Sequence, residues 1–203
     1  FKNMTLLGDG SIGIHNYGVN TLYPTNQGRN YVNITNGGTI TLGNSASINN
    51  PSIGMYTKYG NINHQGTING GNNVIGILSD TPYAVNNNGT ISFGDGTIGI
   101  YKKQGSTTLT SGSSITVGNG AIGVVSNNGS YIENNSANIN IGNSSFGFAV
   151  LGNGTNTYIS NPGSNLNMGS NSVYLYKAGP GNATTYTTVR TGGNNNAALY
   201  ATG

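Results

Sequence analysis

A four-residue unit centred on glycine recurs along the chain: Ser11-Ile12-Gly13-Ile14, Ser52-Ile53-Gly54-Met55, Val74-Ile75-Gly76-Ile77, Thr97-Ile98-Gly99-Ile100, Ala121-Ile122-Gly123-Val124 and Ser145-Phe146-Gly147-Phe148. Val173-Tyr174-Leu175 and Ala197-Ala198-Leu199 keep the flanking apolar residues and lose the glycine. The central positions 13, 54, 76, 99, 123, 147, 174 and 198 are separated by 41, 22, 23, 24, 24, 27 and 24 residues. A repeat of this length means that no unit buries its own apolar face, so the fold must be a stack. Propeller blades need about 40 residues, and leucine-rich repeats need a Leu consensus with a helical segment. Neither matches.

A second unit precedes the first. It reads Ile40-Thr41-Leu42-Gly43-Asn44, Ile91-Ser92-Phe93-Gly94-Asp95, Ile115-Thr116-Val117-Gly118-Asn119, Ile139-Asn140-Ile141-Gly142-Asn143 and Leu166-Asn167-Met168-Gly169-Ser170. Apolar residues at i and i+2, with Thr, Ser or Asn between them, are the period-2 signature of a half-buried strand. The Gly-Asn pair then turns the chain, since both residues tolerate positive φ. Short strands and corners with no helical period predict an all-β, right-handed parallel β-helix of about eight rungs of roughly 23 residues, one domain over 1–203. Stacked at ~4.8 Å, eight rungs make a rod of roughly 38 Å. The expected inward ladders are Ile12, Ile53, Ile75, Ile98, Ile122, Phe146 and Val173 on one strand, and Ile68, Ile91, Ile115, Ile139 and Leu166 on another. Asp9, Asn44, Asn72, Asp95, Asn119, Asn143, Ser170 and Asn194 should form a corner ladder of amides bonded along the axis.

Composition narrows the partners. The 203 residues include 35 Gly and 36 Asn against only 7 Lys or Arg and 4 Asp or Glu, a formal balance of +3. Seven basic residues cannot make a nucleic-acid stripe, in which each phosphate takes its own cation. Without Cys there is neither a disulfide framework nor a thiolate metal site. The longest apolar run, Phe146 to Leu151, is too short to span a bilayer. The chain opens at Phe1 without the basic and apolar regions of a signal peptide, as an excised piece would.

Chemistry-bearing residues are few. Glycoside hydrolysis wants two carboxylates within about 10 Å, whereas Asp9 and Asp95 fall three rungs apart and Asp80 and Glu133 map to other corners. His15 and His64 map to different faces, each expected at the surface and neither with a carboxylate partner for a Ser-His-Asp arrangement. One carboxylate per corner is too few for calcium. No catalytic residue, metal site or cofactor is therefore expected. Lys58, Asp80 and Lys103 lie four positions after successive central glycines, where they would stack as surface ion pairs worth at most about 1 kcal/mol each.

Two features point outward. Between corner ladder and central glycine there are four positions in every copy except one, where Asn44 to Gly54 spans ten, which puts a small insertion near 45–50. The rest of the 41-residue step is an excursion at 17–33 that carries Leu22, Tyr23, Arg29 and Tyr31. Insertions in repeat proteins become outer loops and often bind. Past the central unit lie His15, Tyr56, Leu78, Tyr101, Val125, Ala149, Tyr176 and Tyr200. Aromatic side chains beside a glycine shelf suit a sugar or a protein partner, although Tyr also simply favours strands. Leu22, Tyr23, Arg29, Tyr31, Tyr56 and Tyr101 are the candidate ligand-binding residues.

The Ile-Gly-Ile-Tyr and Gly-Asp-Gly repeats, as in the run from Ile91 to Tyr101, with the Asn-rich, Cys-free composition, resemble passenger segments of the very large fusobacterial type V autotransporter adhesins. The likeness covers nearly the whole chain. It implies display on the bacterial surface, anchored through an outer-membrane barrel that this chain does not contain, and attachment to a host protein or glycan or to another bacterium. The absence of Cys suits a passenger threaded unfolded through a pore. The expected function is a rigid adhesin segment that binds through its loops and Tyr-bearing face. A bare spacer is the alternative, and a carbohydrate-active enzyme is disfavoured by the missing carboxylate pair.

Overall fold

The computed structural model describes residues 2–17 and 34–202, and these form a β-solenoid of about seven turns. Each full rung contributes three short strands, as in Ser114–Val117, Ile122–Asn127 and Ser130–Asn134. Among the described residues, the first of each set builds an eight-stranded sheet, the second another eight-stranded sheet and the third a seven-stranded one. No helix occurs among them. Every pairing is parallel and joins equivalent positions one repeat apart, for example Ile91 with Ile115, Ile115 with Ile139 and Ile98 with Ile122.

One core ladder lies where the alternation places it. Ile68, Ile91, Ile115, Ile139 and Leu166 of the first sheet are wholly buried. The other differs. In the second sheet the core residues are Met55, Ile77, Ile100, Val124, Phe148 and Leu175, two positions later than Ile53, Ile75, Ile98, Ile122, Phe146 and Val173. The earlier set lies outside that cluster: Ile53 and Ile75 are still buried, Ile98, Ile122, Phe146 and Val173 are half-buried, and Ile12 is 37% exposed.

The glycine is the cause. In strand Ile98–Lys102 both Gly99 and Ile100 are buried, so two consecutive residues turn inward and period 2 fails at that point. A Cβ on Gly99 would stand 2.5 Å from the Gly123 carbonyl oxygen and 2.8 Å from the Ile115 Cγ2, and Gly54, Gly76 and Gly123 meet the same obstruction from the next rung. The repeat thus needs glycine for space, since a side chain would occupy the volume taken by the next backbone.

Rung seven breaks the rule in an informative way. Tyr174 replaces the glycine and sends its ring into the core, where its Oη lies 2.8 Å from that of the fully buried Tyr158. The first-sheet ladder position of the next rung, paired with Leu166, is Val189, smaller than the Met, Ile or Leu of the other rungs. Thr185 and Thr187 hydroxyls complete the hydrogen bonding of the Tyr174 hydroxyl.

The corner ladder is present but bonded differently from a stack of amides. Oδ1 of Asn44 accepts the backbone N–H of Asn72 at 2.8 Å, and Asn72, Asp95, Asn119 and Asn143 each do the same for the residue one rung on. Ser170 Oγ continues the series to Asn194. Positive φ falls one residue later than the Gly-Asn pair implied, at Asn73, Gly96, Gly120, Ser144 and Asn171. At the insertion over 45–50 the chain makes a loop between strands Thr39–Leu42 and Ile53–Thr57, with Ser45 Oγ donating to Ser52 Oγ beneath it.

Candidate functional site

The outer face of the second sheet is the one that departs from a hydrated surface. Two columns run along it. One is Ile12, Ile53, Ile75, Ile98, Ile122, Phe146, Val173 and Ala197, and the other is His15, Tyr56, Leu78, Tyr101, Val125, Ala149, Tyr176 and Tyr200, each paired with its neighbour rung by rung. The bend at each glycine turns both columns away from the core cluster, although Ile53, Ile75, Val125 and Ala149 are covered by their neighbours and buried. On the first sheet the corresponding outward residues are chiefly Thr, Ser and Asn. Tyr56 and Tyr101 therefore share a column, as the repeat implies.

Ring geometry sets what this face offers. His15 and Tyr56 lie 4.9 Å apart at 47°, and Tyr176 stacks on Tyr200 at 5.4 Å and 14°. The stacked Tyr176 and Tyr200 cover part of each other's π faces, whereas the His15–Tyr56 pair is tilted and Tyr101 lies between Leu78 and Val125. Asn127 Nδ2 donates to the Tyr101 hydroxyl at 3.2 Å, fixing that ring.

Leu22, Tyr23, Arg29 and Tyr31, with the excursion from residue 18 to 33, lie outside the described residues. Tyr17, at its start, receives the Lys58 ammonium over its ring at 4.9 Å. Lys58 thus turns to Tyr17, and the expected ion triplet reduces to one pair, Lys103 to Asp80 at 2.8 Å.

Two bases sit where residue type alone would not place them. His64 is fully buried in the third sheet rather than at the surface. Its Nε2 lies 3.2 Å from the Thr90 carbonyl and its Nδ1 3.4 Å from Asn36 Nδ2, so Nε2–H donates and Nδ1 accepts. Burial holds the imidazole below its ordinary pKa. Lys102 is also fully buried; its ammonium donates to Ser79 Oγ at 3.1 Å and to the Thr81 carbonyl. Burial, partly offset by Asp80, pushes its pKa down to about 7. Both side chains occupy inward positions next to a corner, where they bond carbonyls that the turns leave facing inside. Lys177 repeats the device, donating to the carbonyls of Gly179 and Pro180. The signal was available: Lys102 occupies the same strand position as Thr57, Ser79 and Ser126, one residue after the outward Tyr column.

The first sheet carries a groove of about 520 Å³ along its outer side. Thr116, Asn140, Asn167 and Arg190 line it from successive rungs, with Gly142, Gly192 and the apolar edges of Val117, Ile141 and Met168. Asn140 Nδ2 donates to Thr116 Oγ1 at 3.2 Å and Asn167 Nδ2 to Asn140 Oδ1 at 2.8 Å. Aligning the middle residues of the second repeat unit would have revealed this column.

Among the described residues no three His, Cys, Asp or Glu side chains gather as a metal site would require. No helix among them is long and apolar enough to cross a membrane. Comparison with protein-family models, with curated proteins and with solved structures finds no match for the chain.

Proposed function

We propose that this chain is a segment of a bacterial surface adhesin, a stiff rod that presents the outer face of its second sheet to a protein on a host cell or on another bacterium. The observation that carries this reading is the double outward column from Ile12 and His15 to Ala197 and Tyr200, which keeps apolar or aromatic side chains in register over eight rungs. Hydrated rungs need no such column, and its solvent-reached members, Ile12 and His15, then Tyr56, Leu78 and Tyr101, then Tyr176 and Tyr200, form the apolar patches that mark a contact. Tyr is among the residue types that dominate interface energies. Display at the cell surface through an outer-membrane barrel belongs to the same proposal and follows the resemblance of the repeats.

The test is capture of the fragment by a panel of host and bacterial surface ectodomains. Tyr101→Ser with Leu78→Ser should lower capture at least tenfold while leaving the melting temperature within a few degrees. A spacer predicts no capture by any ectodomain, and capture that survives the double change would move the contact elsewhere.

A further inference from the structure

We infer that the groove on the first sheet is a separate binding site for an acidic oligosaccharide, lying along the rod with its carboxylates toward Arg190. The argument begins with charge. Of the seven cations, Lys102 and Lys177 are buried, Lys103 pairs with Asp80, Lys58 lies against Tyr17, Arg29 is outside the described residues, and Lys2 is exposed at the far end of the first sheet, before strand Asn3–Leu6. Arg190 is exposed and, among the described residues, donates only from Nη1, to Asn165 Oδ1 at 3.1 Å. A guanidinium has five N–H donors in a planar fork that fits a carboxylate. No carboxylate lines the groove. The anion must come from outside.

The remaining lining fits hydroxyls. The bonds from Asn167 to Asn140 and from Asn140 to Thr116 run one way and leave Asn167 Oδ1 as an acceptor with no partner among the described residues, next to Arg190 in the adjoining rung. An amide oxygen beside a guanidinium recognises a hydroxyl next to a carboxylate, the pattern of a uronic or sialic acid. Gly192 leaves the last rung of the groove without a side chain, so that a flat ring can approach the backbone there. Rungs advance ~4.8 Å, close to the advance of one pyranose in an extended chain, so each successive sugar meets an equivalent row of polar groups. Nothing in this site depends on the Tyr-bearing face.

The experiment titrates the fragment with a tetragalacturonate and an oligosialate, with a neutral cello-oligosaccharide and a single-stranded oligonucleotide of equal charge as controls. Amide chemical shifts are followed at Thr116, Asn140, Asn167 and Arg190. One of the acidic glycans should bind with shifts confined to that column, and which one binds identifies the sugar acid. Arg190→Gln should weaken binding at least tenfold, and Asn167→Ala severalfold, with unchanged melting. Tyr101→Ser should leave it unaffected. Absence of binding by both acidic glycans, equal binding by the oligonucleotide or the neutral glycan, or full affinity in Arg190→Gln would overturn the assignment.

Discussion

Asp95 Oδ1 accepts the backbone N–H of Asn119 from the next rung at 2.7 Å, in a column whose flanking members Asn72 and Asn119 do the same with amide oxygens. What the corner needs is an oxygen at that height. An amide, a carboxylate or a hydroxyl will serve, and this explains why the repeat tolerates Asp and Ser there.

It follows that Asn143→Asp should preserve stability, whereas Asn143→Ala, which strips the acceptor from the Ser170 N–H, should cost about 0.5–1.5 kcal/mol. Urea unfolding of both variants measures the difference. Equal loss in the two would mean that the donor half of the amide matters as well.

Ile98 and Ile100 are two residues apart on one strand and face opposite sides. Ile100→Ala empties a fully buried site and should cost about 2–5 kcal/mol. Ile98→Ala, on the outer column, should cost less than half as much. Comparable losses would place both side chains in the core.

At Tyr174 the rod departs from its own repeat, so restoring the repeat residue should harm it. Tyr174→Gly opens a cavity against Tyr158 and Phe148 and should cost about 3–5 kcal/mol. Tyr174→Phe keeps the packing but deprives the buried Tyr158 hydroxyl of a partner, for about 1–3 kcal/mol. Thermal unfolding of the pair separates the volume from the hydrogen bond.

Lys102 should make stability depend on pH in the alkaline direction. Its pKa lies near 7 in the fold and 10.5 in the free side chain, so between those values the unfolded chain holds more protons than the folded one. Stability from this group is complete above pH 10.5 and is lost as pH falls to 7, with little further change below, an amplitude of about 4–5 kcal/mol. Burial of Tyr158 raises the pKa of its phenol and opposes the trend only above pH 10. Denaturant midpoints measured between pH 7 and 9.5 should therefore rise in the wild type and flatten in Lys102→Met. A parallel rise in the variant would assign the slope to other groups.

The first-sheet core was legible because Ile91-Ser92-Phe93 and its copies alternate without interruption up to the corner. In the second sheet alternation points two residues too early, since Gly99 and Ile100 both turn inward and alternation carries no mark of such a bend. Tyr56 and Tyr101 share one outer column, as the repeat spacing implies, because they lie beyond the bend, where period 2 resumes. His64 and Lys102 were hidden by their own chemistry: a basic side chain is normally solvated, and the inward carbonyls that hold these two appear only once the turns have a shape. The groove went unread for a related reason. Thr116, Asn140, Asn167 and Arg190 look like ordinary solvent positions until four rungs are laid side by side.

The side-chain relay at the corner also makes the rod's length a discrete variable. Every bond of the series joins a residue to its equivalent 23 to 28 positions on, so removing one complete repeat, such as residues 97–120, joins Gly96 to Ala121 and lets each remaining corner find a partner of the same kind. A cut of one residue moves every later side chain of that strand to the other face. Reach can therefore change only by whole rungs, in steps of ~4.8 Å, and a lineage of such rods would differ in height by copy number while the chemistry of each storey stayed the same.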